Sequence, residues 1–333
     1  MGKALVMKWI DHIRIHSFTS LFLLLFKQVK LVRNVGLYGF LVVSSVGFAY
    51  EVKVEYNNQV INADFEPVGE SETTDHVVLI LHGGLAHRDM ENLVYLRSLL
   101  NDGGFSTLAI NLSLGLNNRH GMYDCNKPHV HTNLDAVAEI DVWIQWLVLQ
   151  GVNRITLLGH SRGGAQISLF ANEKASSSTY PYLIRNIILM APSTQDNGAT
   201  GYEKRYDEKL EKVLSRAKRL STKGKKNALI KANMMFCRDI QVSAQSFMSY
   251  YDFDRRHDTP QLLNGIMQPV LVIVAEDDQV VVDLEAKIKA IKPNENVMLS
   301  IIEDAGHFFR DLNMDEAVDV IFQFMSAPAT LAK

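Results

Sequence analysis

The sequence predicts an α/β fold: a mostly parallel, doubly wound sheet with an N-terminal hairpin and an inserted helical cap. Three observations lead to this prediction. Short runs of β-branched and other apolar residues recur along the chain, as in strands that are buried on both faces. Stretches with apolar residues at helical spacing lie between several of these runs. One interval between two runs has 77 residues, far more than a single crossover helix needs.

The composition is that of a globular protein. Of 333 residues, 47 % are hydrophobic and 21 % are charged, which argues against a disordered chain, a collagen or a coiled coil. The net charge of -3 gives no overall signal for nucleic-acid binding, so no nucleic-acid partner is expected. The only two cysteines, Cys125 and Cys237, exclude a disulfide-dense scaffold and an all-cysteine zinc site.

Residues 1–49 differ from the rest of the chain and are typical of a targeting segment. They carry six basic groups and one acidic group, a net charge of +5, which leaves -8 for residues 50–333. Three basic residues between positions 27 and 33 precede an uncharged run, residues 35–49, with small residues at Gly47 and Ala49. A basic region, a short apolar run and a small-x-small exit form the secretory signal pattern. We therefore expect cleavage after Ala49 and an exported protein, periplasmic or secreted.

The alternative for this leader is an uncleaved membrane anchor. The run 35–49 has 15 residues. A helix of that length extends ~22 Å, which is less than the ~30 Å of a bilayer's hydrocarbon core. Length therefore favours export over anchoring.

Residues 50–333 alternate strand-like and helix-like stretches. Glu51–Tyr56 and Val60–Phe65 flank Asn57-Asn58, which predicts a hairpin. Helical patterns cover 134–148 and Ala317–Phe324. The apolar runs assigned to the parallel sheet are Val77–Leu81, Thr107–Ile110, Ile155–Leu158, Ile187–Met190, Val270–Val274 and Val297–Ile302.

The long interval, residues 192–268, is predicted to be a helical cap over one edge of the sheet and not an independent domain. Apolar residues from Tyr202 to Leu220 recur at helical spacing, and Met234–Tyr251 is predicted as a second helix. Residues 201–231 hold eleven basic and four acidic groups. We interpret this excess as a solvated helix face, with peripheral contact to an anionic membrane as the alternative.

The motif Gly159-His160-Ser161-Arg162-Gly163 follows the strand Ile155–Leu158 and precedes a helical pattern. Gly-x-Ser-x-Gly in that position predicts a nucleophile elbow, a tight turn that exposes the serine hydroxyl. Gly159 and Gly163 lack the Cβ atoms that would clash where strand and helix approach each other. Ser161 is therefore the predicted nucleophile, with the N–H of Arg162 beside the reacting atom.

A serine hydroxyl needs a base and an orienting acid. His307 follows the strand Val297–Ile302, where its side chain would reach the carboxyl edge of the sheet. An acid is expected earlier, in the segment Ala275–Val281 that follows another strand. A second donor to the developing oxyanion is expected in the segment 82–85, whose glycines allow close approach of the backbone.

With these motifs in order, residues from about 50 to 326 resemble the α/β-hydrolase superfamily. Longer stretches (85–89, 118–125 and 249–260) resemble bacterial α/β hydrolases of unassigned substrate. The family pattern before the acid is usually Gly-x-x-Asp, and Ala275 replaces the glycine here. Counting from Ala275 implies Asp278 as the acid, with Asp277 and then Asp196 as alternatives. The same resemblance implies Gly84 as an oxyanion donor, with Leu85 one step behind it.

The resemblance, together with the Ser161, Asp278 and His307 order, implies a serine hydrolase of the carboxylesterase or lipase type. Its substrate would be a small acyl compound, attacked through an acyl-enzyme, with no cofactor. A thioesterase or a peptidase on the same three residues is the alternative. A catalytically silent binding protein of the same fold is a third hypothesis.

Several other residues invite functional interpretations. His120, Cys125, His129 and His131 lie within twelve positions, but their spacing matches no zinc pattern, so no metal is expected. Sequence alone leaves open whether Cys125 pairs with Cys237.

Two histidines lie beside the predicted site. We expect His82 to shape the oxyanion turn through local hydrogen bonds. The side chain of His160 should point away from Ser161, so we expect it to serve packing only.

Overall fold

The computed structural model describes residues 49–69, 75–175, 180–195, 198–252, 254, 258–292 and 294–327. The described strands are β1 (Tyr50–Tyr56), β2 (Gln59–Glu66), β3 (His76–Leu81), β4 (Ser106–Asn111), β5 (Arg154–His160), β6 (Ile184–Met190), β7 (Leu229–Met234), β8 (Cys237–Ser243), β9 (Val270–Ala275) and β10 (Val297–Ile302). The described α-helices are α1 (Glu91–Asp102), α2 (Asn133–Leu149), α3 (Arg162–Phe170), α4 (Gly198–Tyr206), α5 (Leu210–Thr222), α6 (Ala244–Tyr251), α7 (Thr259–Leu262), α8 (Leu284–Ala290) and α9 (Leu312–Ser326).

Eight strands form one sheet in the order β1-β2-β4-β3-β5-β6-β9-β10. The pairs β1–β2 and β2–β4 are antiparallel, and the pairs from β4 to β10 are parallel. Asn57 and Asn58 have φ values of 49° and 61°. Two consecutive residues with positive φ give the turn whose twist matches that of the flanking strands. The predicted α/β sheet with an N-terminal hairpin is confirmed.

Side chains from the sheet are buried on both faces. In β3, Val77, Leu79 and Leu81 pack into one hydrophobic core, whereas Val78 and Ile80 pack into another. Helices α2 and α3 contribute to the first core, and α1 and α9 contribute to the second. Because alternate residues of a strand point to opposite faces, a strand covered on both sides reads as a continuous apolar run.

The cap is partly a β-structure, which corrects one prediction. The segment Met234–Tyr251, predicted as a helix, contains the end of β7, a turn, all of β8 and then α6. β7 and β8 form an antiparallel hairpin of their own. Val242 and Ile240 of β8 are buried while Gln241 is exposed, and this alternation has the period of a strand. The apolar residues of a short strand followed by a helix had suggested one longer helix.

The hairpin β7–β8 is attached to the loop that precedes α2. Cys237, the first residue of β8, forms a disulfide with Cys125 in that loop. Further along, the N–H of His129 donates to the carbonyl of Gln241 at 2.8 Å, and the N–H of Ser243 donates to the carbonyl of His129 at 2.9 Å. The cap is therefore fixed to the main domain by a covalent bond and by main-chain hydrogen bonds.

The predicted leader falls on residues 1–49, and of these only Ala49 is among the described residues. Within the described ranges, no helix combines the length and the apolar character that crossing a bilayer requires.

Candidate active site

The segments that carry the predicted site residues meet at one edge of the sheet. Ser161 follows β5, Asp278 lies three residues after β9, and His307 lies five residues after β10. These strands are parallel to one another and to β3, which precedes Gly83 and Gly84. The carboxyl ends of parallel strands share an edge, which is where ligands bind in open α/β sheets.

Ser161 occupies a strained turn between β5 and α3. Its φ and ψ are 55° and -122°, a conformation that non-glycine residues rarely adopt. A Cβ on Gly159 would lie 2.6 Å from backbone atoms of Gly163 and Gly164, and one on Gly163 would collide with the carbonyl oxygens of residues 81 and 82. Glycine at position 159 therefore allows β5 and α3 to approach closely, as the motif predicts, and glycine at position 163 allows α3 to approach the end of β3.

A chain of hydrogen bonds joins Ser161, His307 and Asp278. His307 Nδ1 lies 2.7 Å from Asp278 Oδ2, and His307 Nε2 lies 2.9 Å from Ser161 Oγ. An ionised carboxylate only accepts hydrogen bonds, so Nδ1 carries the proton and Nε2 accepts from the serine hydroxyl. His307 and Asp278 are both buried. The arrangement can remove a proton from Ser161.

The environment keeps Asp278 ionised. Burial alone would raise its pKa, but the hydrogen bonds from His307 and from the Val281 and Val280 N–H groups outweigh burial and hold the pKa below its ordinary value. The two main-chain donors lie 2.8 and 2.7 Å from Oδ1. Asp278 can therefore hold His307 in one tautomer and stabilise its protonated form.

The loops after β9 and β10 are hydrogen-bonded to each other. The N–H of Asp277 donates to the carbonyl of Ala305 at 2.9 Å, and the N–H of Asp304 donates to Glu276 at 3.1 Å. The side chain of Asp277 is exposed, whereas that of Asp278 is buried. Asp278 is thus the residue that the structure brings to His307, whereas Asp196 lies outside the described residues.

The turn after β3 lies beside Ser161. A Cβ on Gly83 would lie 3.3 Å from Ser161 Cβ, and one on Gly84 would lie 3.5 Å from Arg162 Cβ. Gly84 and Arg162 line the same cavity as Ser161, while the side chain of Leu85 is buried in the core. The N–H of Arg162 belongs to the first turn of α3, whose N–H groups have no partner within the helix.

His82 holds this turn in place. Its Nε2 accepts from the N–H of Leu112 and from Arg119, both at 3.1 Å, so Nδ1 carries the proton and donates to the Gly83 carbonyl at 2.7 Å. Burial, reinforced by the charge of Arg119, lowers the pKa of His82 well below its ordinary value. The neutral ring can therefore accept and donate at once.

Ser161 and His307 open into a cavity of about 490 Å³ between the sheet edge and the cap. The cap supplies much of its wall, which sequence reasoning did not assign to the site. The helical spacing from Tyr202 to Leu220 predicts a cap helix, but it does not indicate which of its side chains face a cavity. The cap side chains that line the cavity include Tyr202, Arg205, Tyr206, Met235, Phe236, Tyr250 and Tyr251.

A family model described as "Alpha/beta hydrolase family" matches residues 77–321, well over half of the chain. The chain belongs to the α/β hydrolase family. The fold and family are those of hydrolases, which confirms the resemblance seen in the sequence. None of the curated proteins matches this chain.

Solved structures of other hydrolases share the fold of this family member. Est1E from Butyrivibrio proteoclasticus is 16 % identical, with 83 % of this chain and 99 % of that chain covered and a TM-score of 0.56. A putative hydrolase from Agrobacterium vitis S4 is 14 % identical, with 84 % and 99 % covered and a TM-score of 0.55. The esterase Pf2001 from Pyrococcus furiosus is 18 % identical, with 90 % and 97 % covered and a TM-score of 0.51. At these identities the likeness is one of fold.

The four residues considered as a metal cluster have other partners in this hydrolase. His120 Nε2 lies 2.5 Å from Glu51, His129 Nδ1 lies 2.8 Å from the Ser246 hydroxyl, and His131 Nε2 lies 3.4 Å from Glu139. Cys125 is in the disulfide. In the described ranges no three His, Cys, Asp or Glu residues are grouped so that they could hold a metal ion.

Proposed function

We propose that this α/β hydrolase cleaves carboxylic esters through an acyl-enzyme on Ser161. The observation that supports the proposal is the hydrogen-bonded series Ser161, His307 and Asp278, which opens into the cavity under the cap. Esterases among the proteins of similar fold add support.

In the first step, Ser161 Oγ attacks the carbonyl carbon of the ester while His307 Nε2 takes the hydroxyl proton. The carbonyl oxygen becomes an oxyanion, to which the N–H groups of Gly84 and Arg162 donate. When the tetrahedral intermediate collapses, the bond to the alcohol breaks and His307 returns the proton to the leaving oxygen. Asp278 stabilises the imidazolium that exists between these events.

In the second step, water attacks the acyl-enzyme carbonyl and gives a proton to His307 Nε2. Collapse of the second intermediate breaks the bond to Ser161 Oγ, which takes that proton back. The acid product leaves, and the free enzyme is restored.

Hydrolysis of p-nitrophenyl esters with acyl chains of increasing length tests this function. The wild-type enzyme should turn over at least part of the panel, and Ser161→Ala should lose that turnover while it keeps the wild-type melting temperature. Ser215→Ala is the matched control, because Ser215 lies on α5 and hydrogen-bonds to Glu211. Hydrolysis that persists in Ser161→Ala, or a wild-type enzyme that cleaves no ester, would contradict the proposal.

We further propose that the enzyme is exported after cleavage behind Ala49. The disulfide between Cys125 and Cys237 supports export, because disulfides persist in oxidising compartments. Since β1 begins at Tyr50, cleavage there would leave every described strand and helix in place. N-terminal sequencing of protein from fractionated cells should give Tyr50 as the first residue, and membrane-bound protein that retains residues 35–49 would indicate an anchor. Contact of the basic cap with a membrane stays a prediction.

A further inference from the structure

The cavity contains an arginine side chain that has no anionic partner. Arg162 follows Ser161 directly, is partly buried and lines the cavity. Within the described part of the chain its guanidinium forms neither an ion pair nor a hydrogen bond. Its contact is with the ring of Tyr250, whose centroid lies 5.8 Å from Cζ.

The other charged groups of the cavity wall already have partners. Asp283 is the one carboxylate among the described wall residues, and it pairs with Lys287 at 2.7 Å and accepts from the Thr194 hydroxyl at 2.6 Å. Arg205 is exposed and donates to the carbonyl of Met235 at 3.0 Å. Arg162 is therefore the charged side chain of the described wall that is partly buried and has neither an ion pair nor a hydrogen bond.

The path of the Arg162 side chain places this charge close to the reaction. Its Cβ and Cγ would lie 3.5 and 3.9 Å from a Cβ on Gly84, so the chain runs alongside the predicted oxyanion turn. It then reaches Tyr250 on the cap. A ligand group that binds the guanidinium would lie between the oxyanion turn and the cap, in the same cavity as the scissile bond.

Physical chemistry indicates what such a ligand group is. A charge taken partly out of water is costly unless an opposite charge compensates it. The planar guanidinium presents two parallel donors that match the two oxygens of a carboxylate. The single guanidinium of Arg162, which has no ion pair, would balance one negative charge on the ligand. The rest of the ligand can be hydrocarbon, because much of the wall is apolar or aromatic (Met90, Leu93, Tyr202, Tyr206 and Phe308).

We propose that the substrate is an ester that carries a carboxylate, which the side chain of Arg162 binds. This proposal rests on the proposed esterase function and narrows it to a substrate class. The carboxylate belongs either to the acyl portion, as in a monoester of a dicarboxylic acid, or to the alcohol portion.

Two matched pairs of esters separate these cases. The first pair is mono-p-nitrophenyl glutarate and p-nitrophenyl pentanoate, which have acyl chains of equal length. The second pair is 4-acetoxybenzoate and its methyl ester. The wild-type enzyme should have the higher kcat/KM for the anionic member of at least one pair, and Arg162→Met should lower that anion-to-neutral ratio roughly 10- to 100-fold.

Two further variants show whether the effect belongs to the guanidinium. Arg162→Lys keeps the positive charge but lacks the two parallel donors of the guanidinium, so its anion-to-neutral ratio of kcat/KM should be intermediate. Lys204→Met removes a charge from an exposed position on α4 that does not line the cavity, so it should keep the wild-type ratio. Ratios that Arg162→Met leaves unchanged in both pairs would overturn the proposal.

A binding measurement gives an answer that does not depend on turnover. Calorimetry with Ser161→Ala should show monomethyl glutarate binding more tightly than dimethyl glutarate, and the difference should disappear when Arg162→Met is added. Equal binding of the two compounds, with neutral esters still hydrolysed by the wild type, would overturn the substrate class and leave the esterase function standing. Anion binding through Arg162 without hydrolysis of any ester would overturn the esterase function and leave only the binding of a carboxylate by Arg162 standing.

Discussion

The Nε2–H of His160 donates a hydrogen bond to the main-chain carbonyl of His307, with 2.8 Å between the two atoms. The two rings also pack together, with centroids 5.0 Å apart. Burial, with the nearby His307, lowers the pKa of His160 to about 4, so its ring is neutral near pH 7. The residue before the proposed nucleophile thus holds the backbone of the proposed base.

We expect His160 to act as a positioning residue. His160→Leu removes the donor to the His307 carbonyl, and the resulting misplacement of the base should lower kcat by roughly 10- to 100-fold with little change in KM. His160→Gln can place an N–H near the same point and should recover most of the loss. Steady-state kinetics of the two variants checks this, alongside their melting temperatures. Equal losses in both variants would mean that His160 serves packing only.

The adjacent carboxylates of Asp277 and Asp278 allow a matched test of which one orients His307. Asp278→Asn should lower kcat by about 10⁴-fold, because an amide in place of the carboxylate favours the wrong tautomer of His307. Asp277→Asn should change kcat little, because the Asp277 side chain is exposed while its N–H donates to Ala305. Kinetics of the two single variants decides between them. The opposite order of losses would identify Asp277 as the functional acid.

The disulfide should contribute both to stability and to the shape of the cavity. It closes a loop with a sequence separation of 112, so replacing both Cys125 and Cys237 by serine should lower the free energy of unfolding by about 2–5 kcal/mol. Met235 and Phe236, which precede Cys237, line the cavity, so KM should rise more than kcat falls. Urea unfolding and ester kinetics measure the two effects. Unchanged unfolding and unchanged KM would show that the bond contributes to neither.

Buried neutral histidines should make the fold sensitive to acid. Burial lowers the pKa of His129 to about 3 and that of His160 to about 4, and it lowers the pKa of His82 as well. Unfolded histidines bind a proton near pH ~6.5. The free energy of unfolding should therefore be highest above that pH and fall by up to ~1.4 kcal/mol per pH unit per histidine between pH ~6.5 and ~4.

Urea unfolding at several pH values measures this slope. His129→Gln should reduce the slope of the free energy of unfolding against pH by up to ~1.4 kcal/mol per pH unit. This is the contribution of one histidine, because glutamine takes up no proton when the protein unfolds. A free energy of unfolding that is constant from pH 7 to 4 would contradict the expected behaviour.

The parallel sheet and the nucleophile turn could be predicted because local sequence determines them. Continuous apolar runs indicate strands buried on both faces, and Gly159 is required by backbone contacts with Gly163 and Gly164 in the same turn. The choice of Asp278 over Asp277 needed a family pattern, because only the three-dimensional turn after β9 determines which carboxylate is buried.

The cap was less predictable. In Met234–Tyr251, a short strand and a short helix together imitate one helical pattern, and the pairing of β8 with β7 is a contact that helical periodicity does not reveal. The hydrogen bond from His160 to His307 joins residues 147 positions apart, so no local pattern indicates it. The cavity wall depends on how the cap lies against the sheet, which is also a long-range property.

The most direct test of the proposed chemistry is covalent labelling by a fluorophosphonate, which reacts with activated serine hydroxyls. Intact-mass measurement should show one adduct on the wild-type protein, and peptide mapping should place it on Ser161. Ser161→Ala should acquire no adduct, and His307→Gln should react far more slowly because the serine has lost its base. An adduct on another residue, or labelling that persists in Ser161→Ala, would contradict a nucleophilic role for Ser161.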